Sequence, residues 1–541
     1  MSLKDLFEQR KYQEILDQVK QLEEKGSSSS RSVAEQVDLT YYQSRALGRL
    51  GQHEKALLVV TQIRERISPI QDKIITLKLL IANFYALYLQ EQYKETTSVL
   101  QEGDFIIKSL SGTERERGME WVALYYNIQG ISNFQKGEFI LALDHLNHSL
   151  ELYERLEEPI DILLPIYNIG IINLTIGNQS VELLQRGLSI AEEYNQPWYV
   201  ADMLIMIAWM LTRKGEVNGA LKYAQRGLAL IKTHGDKEGL ANTLNCLGWV
   251  YRAKGELDTS LRHLHHSLSL YKELENQVAI GHLLNNIGHV YWLKNDLTKA
   301  LDYHQRSLTL REEIEVDMDI VESLGNLILV SLGQQNYDQA RIYIDQIQKM
   351  HERHSENFYR INKLYFEALL LKQSGRMRDK ARAQGLFKDI INEKHELLGF
   401  KYESMIQSCE LLLIEMKSFG DPRALEEAKI LVQQLHSLSR NDPTYFIEIL
   451  LLESKFAVIE GDFQQAFKHL EEAQRITEDR KLELLNQRVR IEHEHLEKEL
   501  DNWREIFERN APLQERLKRA RVEEYIIEAK KLVTPLQSPV H

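Results

Sequence analysis

The densest group of side chains able to ligate a metal or move a proton is His263, His265 and His266, with His304 further on. His263 and His266 stand three apart and share a face if the segment is helical. A zinc site needs three or four converging ligands held by oriented neighbours. No cysteine or carboxylate constellation stands at a matching spacing, so these histidines read as solvated or packed. His493 and His495 are two apart, on different faces of a helix, which argues against one shared ion. Acid pairs such as Glu192-Glu193 and Glu312-Glu313 fall on polar helix faces. No G-x-x-x-x-G-K-[ST], G-x-S-x-G or H-E-x-x-H pattern occurs. The residues therefore imply no enzyme, no metal site and no cofactor.

What remains is a chain built for helices. At 541 residues it exceeds one compact core and must divide or repeat. Apolar residues are 43% and charged residues 27%, ordinary for soluble protein. Only 9 prolines occur among abundant Leu, Glu, Gln, Lys and Ala, which favours helix and gives no sign of a sheet. The net charge of −13 disfavours generic binding to phosphate backbones, so no nucleic-acid partner is expected. The basic run Lys518-Arg519-Ala520-Arg521 lies among Glu515, Glu523 and Glu524 and reads as a solvated helix face. Cys246 and Cys409 sit in apolar stretches and read as buried thiols, not a disulfide framework. No apolar run reaches the length of a membrane span, and Met1 to Asp5 lacks an apolar signal core. A cytoplasmic protein without membrane partners is expected.

The strongest signal is a period. Leu240, Leu244, Leu247 and Tyr251 mark one face of a helix, and Lys254-Gly255-Glu256 interrupts it. Leu257, Leu261, Leu264, Leu268, Tyr271 and Leu274 then mark a second amphipathic helix. Each helix alone leaves an apolar stripe exposed, so the two must fold as a hairpin. The turn recurs at Gly137, Gly177, Gly215, Gly255, Asn295, Gln335 and Gly375, at steps of 40 with one of 38. Small residues follow at Ala142, Ala220, Ser260, Ala300 and Ala340. Gly130, Gly170, Gly248 and Gly288, with Ala208 in the same phase, fall mid-helix. Glycine there costs about 1 kcal/mol relative to alanine. A costly residue returning at one phase predicts that the two helices of each hairpin cross there almost in contact.

Leu247-Gly248, Tyr251, Gly255 and Ile287-Gly288, Tyr291, Ala300 resemble the tetratricopeptide repeat (TPR) family. The 40-residue stride exceeds the usual 34 of that family and resembles the long repeats of Pins/LGN adaptors and kinesin light chain. The resemblance implies an all-α superhelical solenoid of antiparallel helix hairpins, about eleven or twelve pairs. It divides the chain into irregular repeats at 1–117, regular repeats at 118–350, irregular repeats at 351–479, and capping helices with a tail at 480–541. Turns are expected near Arg10-Lys11-Tyr12, Gly51, Glu91, Gly420 and Gly461. An inserted loop is expected from Gly103 to Gly118, a flexible connector at Gly26 to Ser30, and a loop bracketed by Pro159 and Pro165. Dense charge from Lys481 to Arg509 and a second helix from Leu513 to Val533 read as a polar cap, with a dimerising coiled coil as the alternative.

In such modules the first helix of each hairpin lines the concave side, at fixed offsets from the mid-helix glycine. Carried onto this chain, the resemblance nominates Asp202, Trp209, Arg213, Asn242, Asn245, Trp249, Arg252, His282, Asn285, His289 and Trp292. Three of the six tryptophans thereby fall on one surface. Indoles suit binding hot spots, and an amide offers a donor and an acceptor to a peptide backbone. The set implies a non-enzymatic scaffold or adaptor that holds a peptide segment of a partner protein in its groove. Its arginines and histidines mildly favour an acidic segment. The same residues would alternatively tie adjacent units together. Asn168, Asn286 and Asn326 stand one position later and are expected to bond to the neighbouring helix. A second functional reading is a peptide-sensing regulator that changes curvature on binding.

Overall fold

In the computed structural model the described residues are 1–520 except 26–30, 51, 67–71, 91, 177–180, 235–236, 355, 396, 420–421, 440–442 and 481. They form 27 helices and no strand. After α1 (Leu3–Glu8) and α2 (Tyr12–Lys25) the chain alternates between an inner and an outer series. The inner helices are α3 (Val33–Arg49), α5 (Lys73–Leu89), α8 (Met119–Lys136), α10 (Leu163–Ile176), α12 (Pro197–Arg213), α14 (Lys237–Ala253), α16 (Gln277–Leu293), α18 (Asp317–Gly333), α20 (Asn357–Lys372), α22 (Leu398–Phe419) and α24 (Pro443–Glu460). The outer helices are α4 (His53–Arg66), α6 (Tyr93–Ser109), α9 (Phe139–Arg155), α11 (Glu182–Glu193), α13 (Val217–His234), α15 (Leu257–Glu273), α17 (Leu297–Glu313), α19 (Tyr337–Arg353), α21 (Met377–Asn392), α23 (Pro422–Ser439) and α25 (Phe463–Asp479). A short α7 (Gly112–Arg117) precedes α8, and α26 (Glu483–Glu508) and α27 (Leu513–Ala520) close the described chain.

Local chemistry sets the boundaries. Ser2, Ser32 and Ser111 each cap a helix through a reciprocal bond with an acid three residues on. Asp296, Asn336 and Asp462 cap outer helices through their side chains. Gly137, Gly215, Gly255 and Gly461 take positive φ at inner-to-outer turns, as do Asn295 and Gln335. Glycine adopts that conformation without steric cost. A second series, Asn195, Glu275 and Glu315, takes positive φ at the outer-to-inner turns.

The expected crossing is present. A Cβ on Gly248 would lie 2.6 Å from Leu264 and 3.5 Å from the Ser260 carbonyl. One on Gly130 would lie 2.6 Å from Leu146 and 3.1 Å from the Ala142 carbonyl. Ser260 Oγ donates to the Gly248 carbonyl at 2.7 Å, fastening the crossing from the small-residue side.

Three local expectations need correction or fall outside the described residues. The segment from Gly103 to Gly118 is not a loop: α6 runs to Ser109 and α7 follows. Ser111 supplies the cap that starts α7 immediately before Gly112, Gly103 lies inside α6, and Gly118 marks the break between α7 and α8. Pro165 lies inside the first turn of α10, where proline removes no intrahelical bond. The connector at 26–30, the turns at 51, 91, 177 and 420, and the tail beyond 520 lie outside the described residues.

The superhelix winds tightly. Inner helices pack on their successors, and successive turns meet. Phe139 stacks edge-on against Phe358 at 6.3 Å, and Arg480 pairs with Glu216. One hydrophobic core runs from α3 to α22, with separate clusters at α14–α17, at the C-terminal units and around α1–α3. No helix among the described residues is long and apolar enough to cross a membrane.

Candidate functional site

The tight winding changes what the nominated inner residues do. Trp209 is 1% exposed and Trp249 3%, and both belong to the main core with residues of α5, α18 and α20. Their indole N–H groups find no acceptor. Asn245, Asn285, His282 and His289 are also buried. This corrects the expectation that indoles and amides face an open groove. An open wall assumes a gently curved solenoid; here the interior of the central turns is filled.

The amides instead form a ladder between units. Asn168 donates to Asn127 at 2.9 Å, Asn286 to Asn245 at 3.1 Å and Asn326 to Asn285 at 3.0 Å. Asn168, Asn286 and Asn326 therefore bond to the neighbouring helix as expected. Two of their acceptors, Asn245 and Asn285, are residues nominated to hold a ligand. Asn285 also meets His304 Nδ1 at 2.8 Å.

Beside the ladder lies a buried ionic cluster that the sequence reading missed. Arg311 is fully buried on α17. Its Nη1 donates to the Asp319 carbonyl at 2.8 Å and to Ser323 Oγ at 2.9 Å. Its Nη2 lies 2.8 Å from His282 Nδ1 and 3.0 Å from Glu322. His282 Nε2 is 3.0 Å from Asp319. His282, Asp319 and Glu322 converge closely enough to hold one metal ion. The guanidinium already occupies that focus, so a second cation there would meet it as a like charge. Burial raises the Glu322 pKa, and Arg311 opposes the shift. Burial also pushes His304 down to about 3, with Arg311 adding to the effect. The available signal was an arginine at the phase held by Ile231 and Tyr271, both buried.

Five nominated residues stay partly exposed, three of them outside the cavity described next and two, Asp202 and Asn242, in its wall. Arg213, Arg252 and Trp292 are half-buried along α12, α14 and α16. The Arg252 guanidinium lies 4.1 Å over the Trp249 ring, and His289 stacks on Trp292 at 5.4 Å. Burial, then the positive charge of Arg213, pushes Arg252 down to about 9. Asn242 is half-buried too, and accepts from Tyr271 Oη at 2.6 Å.

Asn242 and Asp202 line a cavity of about 400 Å³ on the inner face of the first superhelical turn. Its walls come from α1, α3, α5, α8, α10, α12 and α14. Aromatic rings dominate, among them Tyr41, Tyr85, Trp121, Tyr167, Trp198 and Tyr199. The chain's own cations rest on several. Arg45 lies 3.4 Å over Tyr85, Lys78 4.0 Å over Trp121 and Arg10 5.0 Å over Trp198. Such contacts contribute about 0.5–2 kcal/mol each.

Ion pairs from the N-terminal segment close one side. Lys4 on α1 lies 3.2 Å from Glu120 and 3.1 Å from Asp161. Burial alone would lower its pKa, but Asp161 and Glu120 outweigh that and raise it. Arg10 pairs with Asp202 at 3.2 Å, and Arg49 approaches Glu238 at 4.0 Å. Glu8, half-buried, is raised by burial. Lys4, Arg10, Arg45 and Arg49 thus stand beside Glu8, Glu120, Asp161, Asp202 and Glu238. Cations and acids are close to balance in this cavity, so the chain's net charge of −13 does not by itself exclude an anionic or nucleic-acid partner. The sequence reading missed the N-terminal wall because its units depart from the 40-residue stride. The usable signal was Tyr41-Tyr42, Tyr85 and Tyr88 on successive inner helices.

Three comparisons bear on this architecture. A family model described as the MalT-like TPR region matches residues 206–481. Among solved structures, a Rap protein complexed with Competence and Sporulation Factor aligns at 17% identity over 75% of this chain and 98% of that chain, with a TM-score of 0.49. NprR in complex with its cognate peptide NprX aligns at 13% identity over 75% of this chain and 100% of that chain, with a TM-score of 0.48. A human IFIT1 dimer with m7Gppp-AAAA aligns at 16% identity over 87% of this chain and 95% of that chain, with a TM-score of 0.45. No curated protein matches the sequence.

Proposed function

The chain belongs to the MalT-like TPR region family, and from that premise we propose that it is a non-catalytic scaffold that takes a short peptide segment of a partner into its concave interior. One observation carries the reading: the cavity of about 400 Å³ beside Asp202 and Asn242, walled by aromatic rings and by charges of both signs. Its volume lies within the range that holds a drug-sized ligand. Rings supply desolvated contact area, and paired charges supply direction to a segment carrying both an ammonium and a carboxylate. Half-buried Arg213, Arg252 and Trp292 would extend contact along the wall for a longer segment.

A second reading, a regulator that changes shape on binding, is favoured by the ion pairs of α1. A ligand charge that competes for Glu120, Asp161 or Asp202 would release Lys4 or Arg10, and with them one wall of the cavity. We keep the division at 1–117, 118–350, 351–479 and 480–541 as part of the proposal. Inner helices starting at Pro197, Lys237, Gln277 and Asp317 support the regular middle portion. The same 40-residue steps support the finer likeness to Pins/LGN and kinesin light chain repeats.

A displayed library of random pentapeptides, selected on the full chain, tests the reading. The selected peptides should bind Asp202→Ala and Tyr199→Ala at least tenfold more weakly than the unchanged protein. They should bind Asn285→Ala equally well. Equal binding to all four proteins would remove the cavity from the account.

A further inference from the structure

Most charged side chains lining the first-turn cavity engage one another. Lys4 reaches Glu120 and Asp161, Arg10 reaches Asp202, and Arg49 reaches Glu238. Glu8 and Arg45 line the same cavity and do not take part. Lys4 and Glu8 stand four apart on α1, the spacing at which a helix pairs opposite charges. The Lys4 ammonium turns to Glu120 and Asp161 instead. Among the described residues no cation lies within ion-pair distance of Glu8, and no donor bonds to its carboxylate. Its pKa is raised chiefly by burial; Asp161, Asp5 and Glu158 add to the rise, and Lys4 opposes it. An added cation beside this carboxylate would relieve both the burial and the repulsion.

Arg45 on α3 is the converse. Its guanidinium lies 3.4 Å over the Tyr85 ring and 5.3 Å from the Phe7 ring, and among the described residues no carboxylate pairs with it. Rings meet the flat face of a guanidinium, whose N–H donors lie in its plane. Stacking therefore holds the group in place and leaves its edge to a planar acceptor with two oxygens. On the ring beneath, Tyr85 Oη is buried and has no hydrogen-bond partner among the described residues. Phe7 precedes Glu8 in the chain and touches Arg45, so the two charges belong to one end of the cavity.

We infer that Glu8 and Arg45 are the charge contacts of the cavity's ligand: Glu8 receives an ammonium, and Arg45 with Tyr85 Oη receives a carboxylate, of one short zwitterionic peptide. The inference rests on the cavity being the peptide site proposed above, and it narrows that site to ligands bringing one charge of each sign. A ligand lacking either leaves a desolvated charge without its counterpart. The ammonium comes from a chain end or a lysine, and the carboxylate from a chain end or an acidic side chain.

Four pools of random soluble pentapeptides test this: free at both ends, N-acetylated, C-amidated, and blocked at both ends. Each is equilibrated with the full chain, and the peptides retained through gel filtration are read by mass spectrometry. If chain ends supply the charges, the N-acetylated pool should yield only peptides with lysine. The amidated pool should then yield only peptides with Asp or Glu, and the doubly blocked pool only peptides with both. Retention from every pool of peptides with lysine and an acid alone would assign both charges to side chains. Glu8→Gln should weaken the retained peptides about tenfold or more and cancel the demand for an ammonium. Arg45→Gln should do the same for the carboxylate. Glu8→Gln should unfold at the temperature of the unchanged protein, because its carboxylate has no partner to lose. The pools on the unchanged protein decide the matter by themselves if Arg45→Gln does not fold. Retention of uncharged peptides from the doubly blocked pool, or equal retention by both variants and the unchanged protein, would overturn the inference. If that retention is still lost in Tyr199→Ala, the cavity stands as the peptide site and only the assignment of its charges falls. Retention that Tyr199→Ala leaves unchanged, or none from any pool, removes site and inference together.

Discussion

Two phases of the repeat meet opposite fates along the same inner helices. In the later turns of α12, α14 and α16 the inner face is sealed: Trp209 and Trp249 are core residues, and Asn245 and Asn285 bond to the next unit. In the first turns of α12 and α14 the face opens into a cavity where Asp202 and Asn242 stand among rings and ion pairs. The helices are the same; what differs is what the winding brings opposite, which at the cavity is α1, α3 and α5. Regular units seal themselves with short amides. The irregular N-terminal units supply long tyrosines and arginines that prop the interior apart. In this molecule recognition is sought where the irregular N-terminal units face the regular ones.

The largest expected effect lies on the sealed side. Arg311→Ala would leave Glu322 and Asp319 buried without their cation. Breaking a buried pair costs about 3–5 kcal/mol. Urea unfolding should show a loss of that order, and a loss under about 1 kcal/mol would mean that water reaches the cluster.

The next effect is on pH. His304 titrates near 3 in the folded state against an ordinary 6.5. The unfolded chain therefore takes up a proton below about 6.5 that the folded chain refuses. Stability is fully present above that pH and falls as pH drops towards 3, by about 1.4 kcal/mol per unit for one histidine. His289, held well below its ordinary value by burial and then by Arg252 and His304, steepens the fall. Urea midpoints at pH 7 and pH 5 should differ accordingly, and His304→Asn should remove about one proton from the slope.

Smaller again is the crossing. Gly248→Ala gains about 1 kcal/mol of helix propensity, but its methyl would stand 2.6 Å from Leu264. Overpacking costs about 1–3 kcal/mol, so the net change in thermal unfolding should be a modest destabilisation. A stabilised variant would mean that the hairpin relaxes freely.

The finest contrast sets ladder against cavity. Asn285→Ala should lower stability by about 1–3 kcal/mol, the cost of unsatisfied buried partners, and leave peptide capture unchanged. Asp202→Ala breaks one partly exposed pair, should cost under about 1 kcal/mol, and should abolish capture. The reverse pattern would exchange the roles of the two levels.

Much of the fold was legible because period and steric need coincide. Gly130 and Gly248 announced the crossings, and Gly137 and Gly255 the turns, each at the position where the backbone needs glycine. The inner wall was legible only in part. Offsets from a glycine give the face of a helix, and Trp209 does lie on that face. They say nothing of superhelical pitch, which decides whether the face meets water or another turn. Pitch arises from contacts such as Phe139 on Phe358, between residues of no shared local pattern. For the same reason the sequence could not bring Lys4 to Asp161 or Arg10 to Asp202.

The most direct measurement is hydrogen exchange by mass spectrometry on the full chain, with and without a pentapeptide selected from the library. The account predicts slower exchange in α1, α3, α10 and α12, whose residues wall the cavity, and no change in the outer helices α11, α13 and α17. Slowing confined to those outer helices, with the cavity walls unaffected, would contradict it.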